Sequence, residues 1–284
     1  MSAMNTDRYA VIGHPVAHSR SPFIHAQFAA QTRQSITYDT IDAAPEEFAA
    51  TVRTFFAGGG RGLNITIPHK EAALQLVDEL TPRARRAGAV NTLALRSTSG
   101  ARDFSLLGDN TDGAGLARDL LNNHRIMIAG RRLLLLGAGG AARGVLAPLL
   151  GLKPSALTVV NRNVERAREL VEQFRDLGRL NAIGYPELRN EPYDIVINAT
   201  AASLAGELPA LPPGIVGSHS ICYDMAYGRE DTPFVRWAFD RGCARALMGL
   251  GMLVEQAAES FHLWRGVRPD TASVLSALNA ELRS

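Results

Sequence analysis

Lys70 and Asp112 are the side chains of this chain best suited to moving a proton. Lys70 closes the run Asn64-Ile65-Thr66-Ile67-Pro68-His69-Lys70, in which an alternating strand over 63–67 stops at a proline that suits the first turn of a helix. The pattern predicts a helix over 69–80 with Lys70 in its opening turn. A helix N-terminus already presents roughly half a positive charge, so an idle lysine there is disfavoured by about 0.3 kcal/mol or more. A solvated lysine facing away satisfies the pattern. A lysine fixed at a strand-to-helix corner to give or take a proton explains it. Asp112 lies near the start of a helix predicted to run from 111 to 123, which Asp109 or Thr111 would cap. It either belongs to that helix start or, beside Lys70, orients the ammonium for proton donation.

A second set of residues points to a dinucleotide. Gly137-x-Gly139-x-x-Ala142 sits between the apolar strand 133–136 and a helix predicted to reach 150. Gly137 allows the tight turn, Gly139 lets backbone N–H groups approach a pyrophosphate, and Ala142 lets the helix pack on the strand. An NAD site expects Asp or Glu about 20 residues on, to hold the ribose 2′-hydroxyl. This chain has Asn161 there, then Arg162, with Arg166 one helical turn later. No carboxylate repels a 2′-phosphate and two guanidiniums are placed to grip it, so the pattern favours NADP. Solvated arginines at a helix start are the plainer alternative.

The amino-terminal half adds Ser19 and Ser21 around Arg20, directly before Pro22, with Ser21 a candidate helix cap. Asn64, Thr66, Lys70, Asn91 and Asp112 fall near the carboxyl ends of predicted strands, where open α/β sheets bind ligands. Many neutral hydrogen-bonding groups around one lysine suit a small, polyhydroxylated, anionic molecule.

The elements that position these groups form two α/β series. Strands are predicted at 9–13, 36–42, 63–67, 89–95 and 104–107, with helices at 23–32, 45–56 and 69–80 between them. The pattern restarts with strands at 133–136, 157–161, 195–198 and 221–225, and helices at 252–265 and 270–282 end the chain. The first of these is expected to pack back on the amino-terminal domain. The fold class is α/β: a mostly parallel substrate domain (1–112 with 252–284) and a Rossmann-like NADP-binding domain (113–251), with an interdomain cleft.

Bulk composition excludes several classes. The chain has 284 residues, 46% hydrophobic, with a formal net charge of +2. The three arginines within 83–86 read as a solvated face, and nothing resembles a basic nucleic-acid surface. No apolar stretch reaches the length of a signal core or a membrane span. Two separated cysteines, Cys222 and Cys243, fit a reducing cytoplasm, and no metal-type spacing appears.

The ordered blocks 13–22, 64–70, 88–92, 108–113, 137–141, Asn161-Arg162, Asn198-Ala199-Thr200, Tyr223-Asp224-Met225 and 249–254 make the chain resemble the shikimate dehydrogenase family essentially end to end. The resemblance implies NADPH-dependent reduction of 3-dehydroshikimate to shikimate in aromatic amino-acid biosynthesis. Lys70 and Asp112 would be the catalytic pair. Ser19 and Ser21 would hold the substrate carboxylate with Tyr227 near that end, and Thr66, Asn91 and Gln256 would contact ring hydroxyls. The cofactor would meet Gly137, Ala138, Gly139, Gly140, Ala141, Asn161, Arg162, Asn163, Arg166, Thr200, Met225 and Gly249. Three positions depart from the family pattern: Ala201-Ala202 where a Ser-rich pair is common, Met248 where Asp or Asn is common, and Asn163 where Thr is common. An NAD-using quinate/shikimate dehydrogenase would carry an acidic residue at or beside 161. A non-catalytic regulatory protein of the same fold would lack Lys70 or Asp112. A small-molecule substrate is the expected partner, without nucleic acid or membrane, and a homodimer is compatible with the sequence.

Overall fold

A computed structural model describes residues 6–96 and 105–283. The chain divides into two compact units: one runs to Gly115 and takes in Val254–Leu282, and the other is Leu116–Leu253.

The first unit contains β1 (Asp7–Gly13), α1 (Ser21–Thr32), β2 (Ile36–Asp42), α2 (Phe48–Ala57), β3 (Gly60–Ile65), β4 (Glu79–Leu80), α3 (Pro82–Ala87), β5 (Thr92–Arg96), β6 (Ser105–Asp109) and the first residues of α4 (Asp112–Arg118), which runs across the boundary. Its sheet has the order β2-β1-β3-β5-β6-β4. The β1–β2, β1–β3 and β4–β6 pairs are parallel, whereas β5 runs antiparallel to both β3 and β6. That reversal matters for the site. Thr92 pairs with Asn64 on one side and Asp109 on the other, so the start of β5 lies at the same edge as the ends of β3 and β6.

The second unit contains β7 (Arg132–Leu136), α5 (Gly140–Gly151), β8 (Ala156–Val160), α6 (Val164–Phe174), β9 (Leu180–Ile183), β10 (Ile195–Asn198), β11 (Ile221–Asp224), α7 (Pro233–Asp240) and β12 (Arg245–Met248). The sheet order is β12-β11-β10-β7-β8-β9, and every pair is parallel. Counted from β7 this is the doubly wound order 3-2-1-4-5-6, whose chain reversal beside the first strand creates the dinucleotide crevice. Strand β7 is buried from Leu133 to Leu136, as a strand covered on both faces must be. A π-helical turn, Asp119–Asn123, follows α4. Its Asp119 is fully buried, accepts the Tyr223 hydroxyl at 2.6 Å, and lies so close to Gly251 that a side chain there would collide with it.

The chain ends with α8 (Leu250–Arg265) and α9 (Thr271–Arg283), and from Val254 onward α8 belongs to the first unit. Among the described residues no helix is long and apolar enough to cross a membrane.

Several expectations are corrected. Residues 69–80 form no α-helix: 67–71 are turn, Ala72–Leu76 a 3-10 turn, and Glu79–Leu80 a strand paired with Leu107–Gly108. Pro68 lies in that turn and opens no helix, so Lys70 does not oppose an α-helix dipole. The strand expected at 89–95 is Thr92–Arg96, and of the strand expected at 104–107 Phe104 lies outside the described residues. Short strands β4, β9 and β12 went unread. Arg83 is more than a solvated residue: it binds Asp109 at 2.5 Å and Glu259 at 3.2 Å.

Candidate active site

Three strand ends converge on Lys70. The turn after β3 carries it, the first residue of α4, just past β6, is Asp112, and the antiparallel β5 brings Asn91, the residue before it, between them. The Lys70 Nζ donates to Asp112 Oδ2 at 2.6 Å, with side-chain exposures of 15% and 5%. Such shielding strengthens the pair relative to one in water. The other oxygen, Asp112 Oδ1, accepts Asn91 Nδ2 at 2.9 Å. Both carboxylate oxygens are therefore fixed, and the ammonium with them.

The surrounding groups are polar and mostly buried. Asn91 also donates to Thr111 Oγ1 at 2.8 Å, and to Gln256 Oε1 at 3.4 Å. Thr111 bonds Gln256 as well, at 3.4 Å. Thr111 holds the cap position of α4, its carbonyl accepting the Gly115 N–H at 3.0 Å, and Asn110 Oδ1 accepts the Asp112 N–H at 3.2 Å, while Asp109 is held by Arg83, Thr81 and the Asn110 N–H. Thr66 is half-buried at the turn and its N–H donates to the Ile12 carbonyl at 2.9 Å.

Ser19 and Ser21 stand at the end of β1. Ser21 is the first residue of α1 and Arg20 the cap position, so Ser21 is not the cap; its N–H donates to Ser19 Oγ at 3.3 Å. The Tyr38 hydroxyl donates to Asn64 Oδ1 at 2.7 Å. Beneath Tyr38 the ring of His25 stacks at 4.1 Å, and burial lowers its pKa to about 3, leaving it neutral. Tyr227 lies half-buried in the second unit, just after β11.

The second unit presents the dinucleotide features. Gly137 has φ +103°, and a Cβ there would come within 3.2 Å of the Ala199 carbonyl and of the Thr200 methyl. Only glycine tolerates both. Gly139 caps the 12-residue α5 without a side-chain hydrogen bond, and the space where its Cβ would lie is open. Ala138 and Ala142 are buried, Gly140 and Ala141 half-buried. The exposed helix N–H groups and the dipole suit a phosphate. At the end of β8, Asn161 donates to the Asn163 carbonyl at 2.8 Å, and Asn163 Oδ1 caps α6 by accepting from Glu165 and Arg166 N–H groups. Arg162 and Arg166 are exposed beside it. Thr200 Oγ1 donates to Asn198 Oδ1 at 2.7 Å, and Gly249 approaches Met225 so closely that a Cβ would sit 2.5 Å from its carbonyl. This set fits a phosphorylated dinucleotide. Among the described residues no cluster of His, Cys, Asp or Glu could hold a metal.

The shikimate dehydrogenase substrate binding domain matches residues 11–93, the shikimate / quinate 5-dehydrogenase family 116–205, and the shikimate 5'-dehydrogenase C-terminal domain 249–278. A shikimate dehydrogenase (NADP(+)) of Alkalilimnicola ehrlichii is 56% identical over 97% of this chain and 100% of its own length. The chain belongs to the shikimate dehydrogenase family. A relative of the same name from Aeromonas hydrophila is 55% identical over 97% of this chain and 98% of its own. A shikimate 5-dehydrogenase from Thermus thermophilus, solved with NADP(H) and shikimate, superposes with a TM-score of 0.82 at 33% identity, covering 98% of this chain and 100% of the other.

Some residues of this hydrogen-bonded cluster escaped sequence reasoning. Tyr38, Thr92 and Ser260 were not singled out, although Gln256, Ser260 and Trp264 stand four apart on one face of α8. That spacing was the available signal.

Proposed function

We propose that this chain catalyses the reversible reduction of 3-dehydroshikimate to shikimate with NADPH, in the cytoplasm, within aromatic amino-acid biosynthesis. The observation that carries this reading is the shielded 2.6 Å pair of Lys70 and Asp112, ringed by neutral amide and hydroxyl groups. The family relationship supports NADP as cofactor, as does the absence of an acidic residue at Asn161 and the presence of Arg162 and Arg166.

Gly137, Ala138, Gly139, Gly140 and Ala141 would hold the pyrophosphate, with Asn161, Arg162, Asn163 and Arg166 around the adenosine 2′-phosphate. Thr200, Met225 and Gly249 would line the nicotinamide side. Bound NADPH supplies the hydride. Ser19 and Ser21 bind the substrate carboxylate, with Tyr227 near it, and Thr66, Asn91 and Gln256 orient the ring through its hydroxyls. As the C3 carbonyl is reduced, Lys70 Nζ gives its proton to the developing alkoxide oxygen. Lys70 then recovers a proton from water, so one hydride and one proton are added in total. In the oxidative direction the same nitrogen removes the hydroxyl proton. Asp112 keeps Nζ aimed during both.

The direct test offers shikimate and quinate, each with NADP and NAD, to the purified protein and follows reduced-nicotinamide absorbance. Shikimate with NADP is expected to be turned over fastest. Faster turnover of quinate with NAD would overturn the reading.

A further inference from the structure

Asn91 sets the direction of Asp112, and its own direction is fixed by donors that cannot reverse. The Thr111 backbone N–H, a donor only, approaches Asn91 Oδ1 at 2.9 Å, so the amide nitrogen must face the Asp112 carboxylate. Asn64 is fixed in the same way, because its Nδ2 faces the Asn91 carbonyl at 3.4 Å and its Oδ1 receives the Tyr38 hydroxyl at 2.7 Å. Asn64 Nδ2 then donates to Thr92 Oγ1 at 3.1 Å, and Thr92 passes its proton to Asn91 Oδ1 at 2.9 Å. Every bond runs one way, from Tyr38 through Asn64, Thr92 and Asn91 to Asp112. A chain of aligned donors of this kind polarises cooperatively and ends on the carboxylate that aims Lys70.

One side chain braces this series. Ser260 is fully buried on α8, and its Oγ accepts Asn64 Nδ2 at 2.9 Å. Because the Thr92 proton is committed to Asn91, Ser260 is the donor in the 2.8 Å bond to Thr92 Oγ1, with Thr111 Oγ1 at 3.3 Å and the Gln256 carbonyl at 3.2 Å as its other neighbours. All of these groups belong to the first unit. One turn on, Trp264 donates to the Leu93 carbonyl at 2.9 Å and pins the helix against β5.

We infer that Ser260 is a positioning residue for the reaction: it locks Asn64 and Thr92, and through them the Asn91–Asp112–Lys70 geometry, without touching the reacting atoms. The inference rests on the proton role proposed for Lys70. A misplacement of about 1 Å in such a constellation costs about a hundredfold in rate, so loosening the brace falls mainly on kcat.

The test compares Ser260→Ala, Thr92→Val and the double variant in the full-length enzyme. Turnover is expressed per NADPH-binding site, so that unfolded protein does not count. Ser260→Ala is expected to lower kcat about 5- to 50-fold while KM for NADP stays within about twofold. The double variant should be no slower than the slower single, because both break one series. Ser260→Cys, which fits the space and keeps a weak donor, should fall between Ser260→Ala and the unaltered enzyme; it is also the measurement that stands if Ser260→Ala does not fold. A kcat per site unchanged in both Ser260 variants, or effects that multiply fully in the double, would overturn the inference. Lys70→Ala run alongside separates the two failures: if it keeps normal turnover, the proton role itself is wrong.

Discussion

The two units solve different physical problems. In the first, Lys70 is held by a buried hydrogen-bonded set: Asp112 is 3% exposed, Asn91 2%, Thr111 and Ser260 fully enclosed. In the second, the groups assigned to the cofactor are backbone N–H groups before α5 and the exposed arginines 162 and 166. Proton transfer tolerates little positional error, which a buried hydrogen-bonded network around Lys70 limits. A carrier that must arrive and leave on every cycle is better met by a rigid glycine turn and charges already facing water. The lesson is that preorganisation is concentrated where the bond chemistry is proposed, and is sparse where binding must be reversible.

The comparison can be broken from either side. Asp112→Asn removes the charge that aims Lys70 but keeps the shape, and kcat is expected to fall about a hundredfold with NADPH affinity unchanged. Loss of NADPH binding in that variant would blur the distinction between the units. Arg162→Ala does the converse: NADPH affinity, measured by titration of its fluorescence, should fall about 10- to 100-fold while NADH affinity barely moves, as expected for one lost charge-assisted hydrogen bond. Equal losses for both carriers would remove Arg162 from the 2′-phosphate.

A smaller effect concerns acid stability. Burial pushes the Asp109 carboxyl up, but the Arg83 hydrogen bond and charge, with Thr81 and the Asn110 N–H, outweigh it and hold it below its ordinary value. Asp119 is lowered likewise, with hydrogen bonds from His124, Tyr223 and Asn123 overcoming burial. Such groups stabilise the fold above the unfolded carboxylate value of about 3.9 and lose that contribution as pH falls through their folded values. Asp224 has the opposite sign, because burial keeps it raised despite bonds from Ser203, Thr232, the Ala226 N–H and Asn198. Its folded form takes up a proton first, which favours the fold as pH falls and disfavours it as pH rises through that folded value. Melting midpoints followed from neutral pH into acid should therefore decline less steeply in Asp109→Asn and more steeply in Asp224→Asn. Parallel curves would contradict both assignments.

Much of this was legible in the residues. The buried strands β7, β10 and β11 announce themselves as continuous apolar runs, and Gly137, Gly139 and Ala142 fall where a strand turns into a helix. The segment 69–80 was misread because its local pattern favours a helix, whereas the Lys70 carbonyl is taken by the Val90 N–H and Glu79–Leu80 by β6. Tertiary pairing overrode propensity there. Strand β12 escaped because its four residues are all half-buried, with no alternation to read. Ser260 escaped for another reason: its spacing of four from Gln256 and Trp264 places it on one helix face, but which strand that face meets is set only by the fold.

The most direct measurement is kcat for Lys70→Ala with shikimate and NADP, taken together with NADPH binding. A fall of at least about 10²–10⁴ in kcat with cofactor affinity intact is the predicted result. Turnover within a few-fold of the unaltered enzyme would contradict the account at its centre.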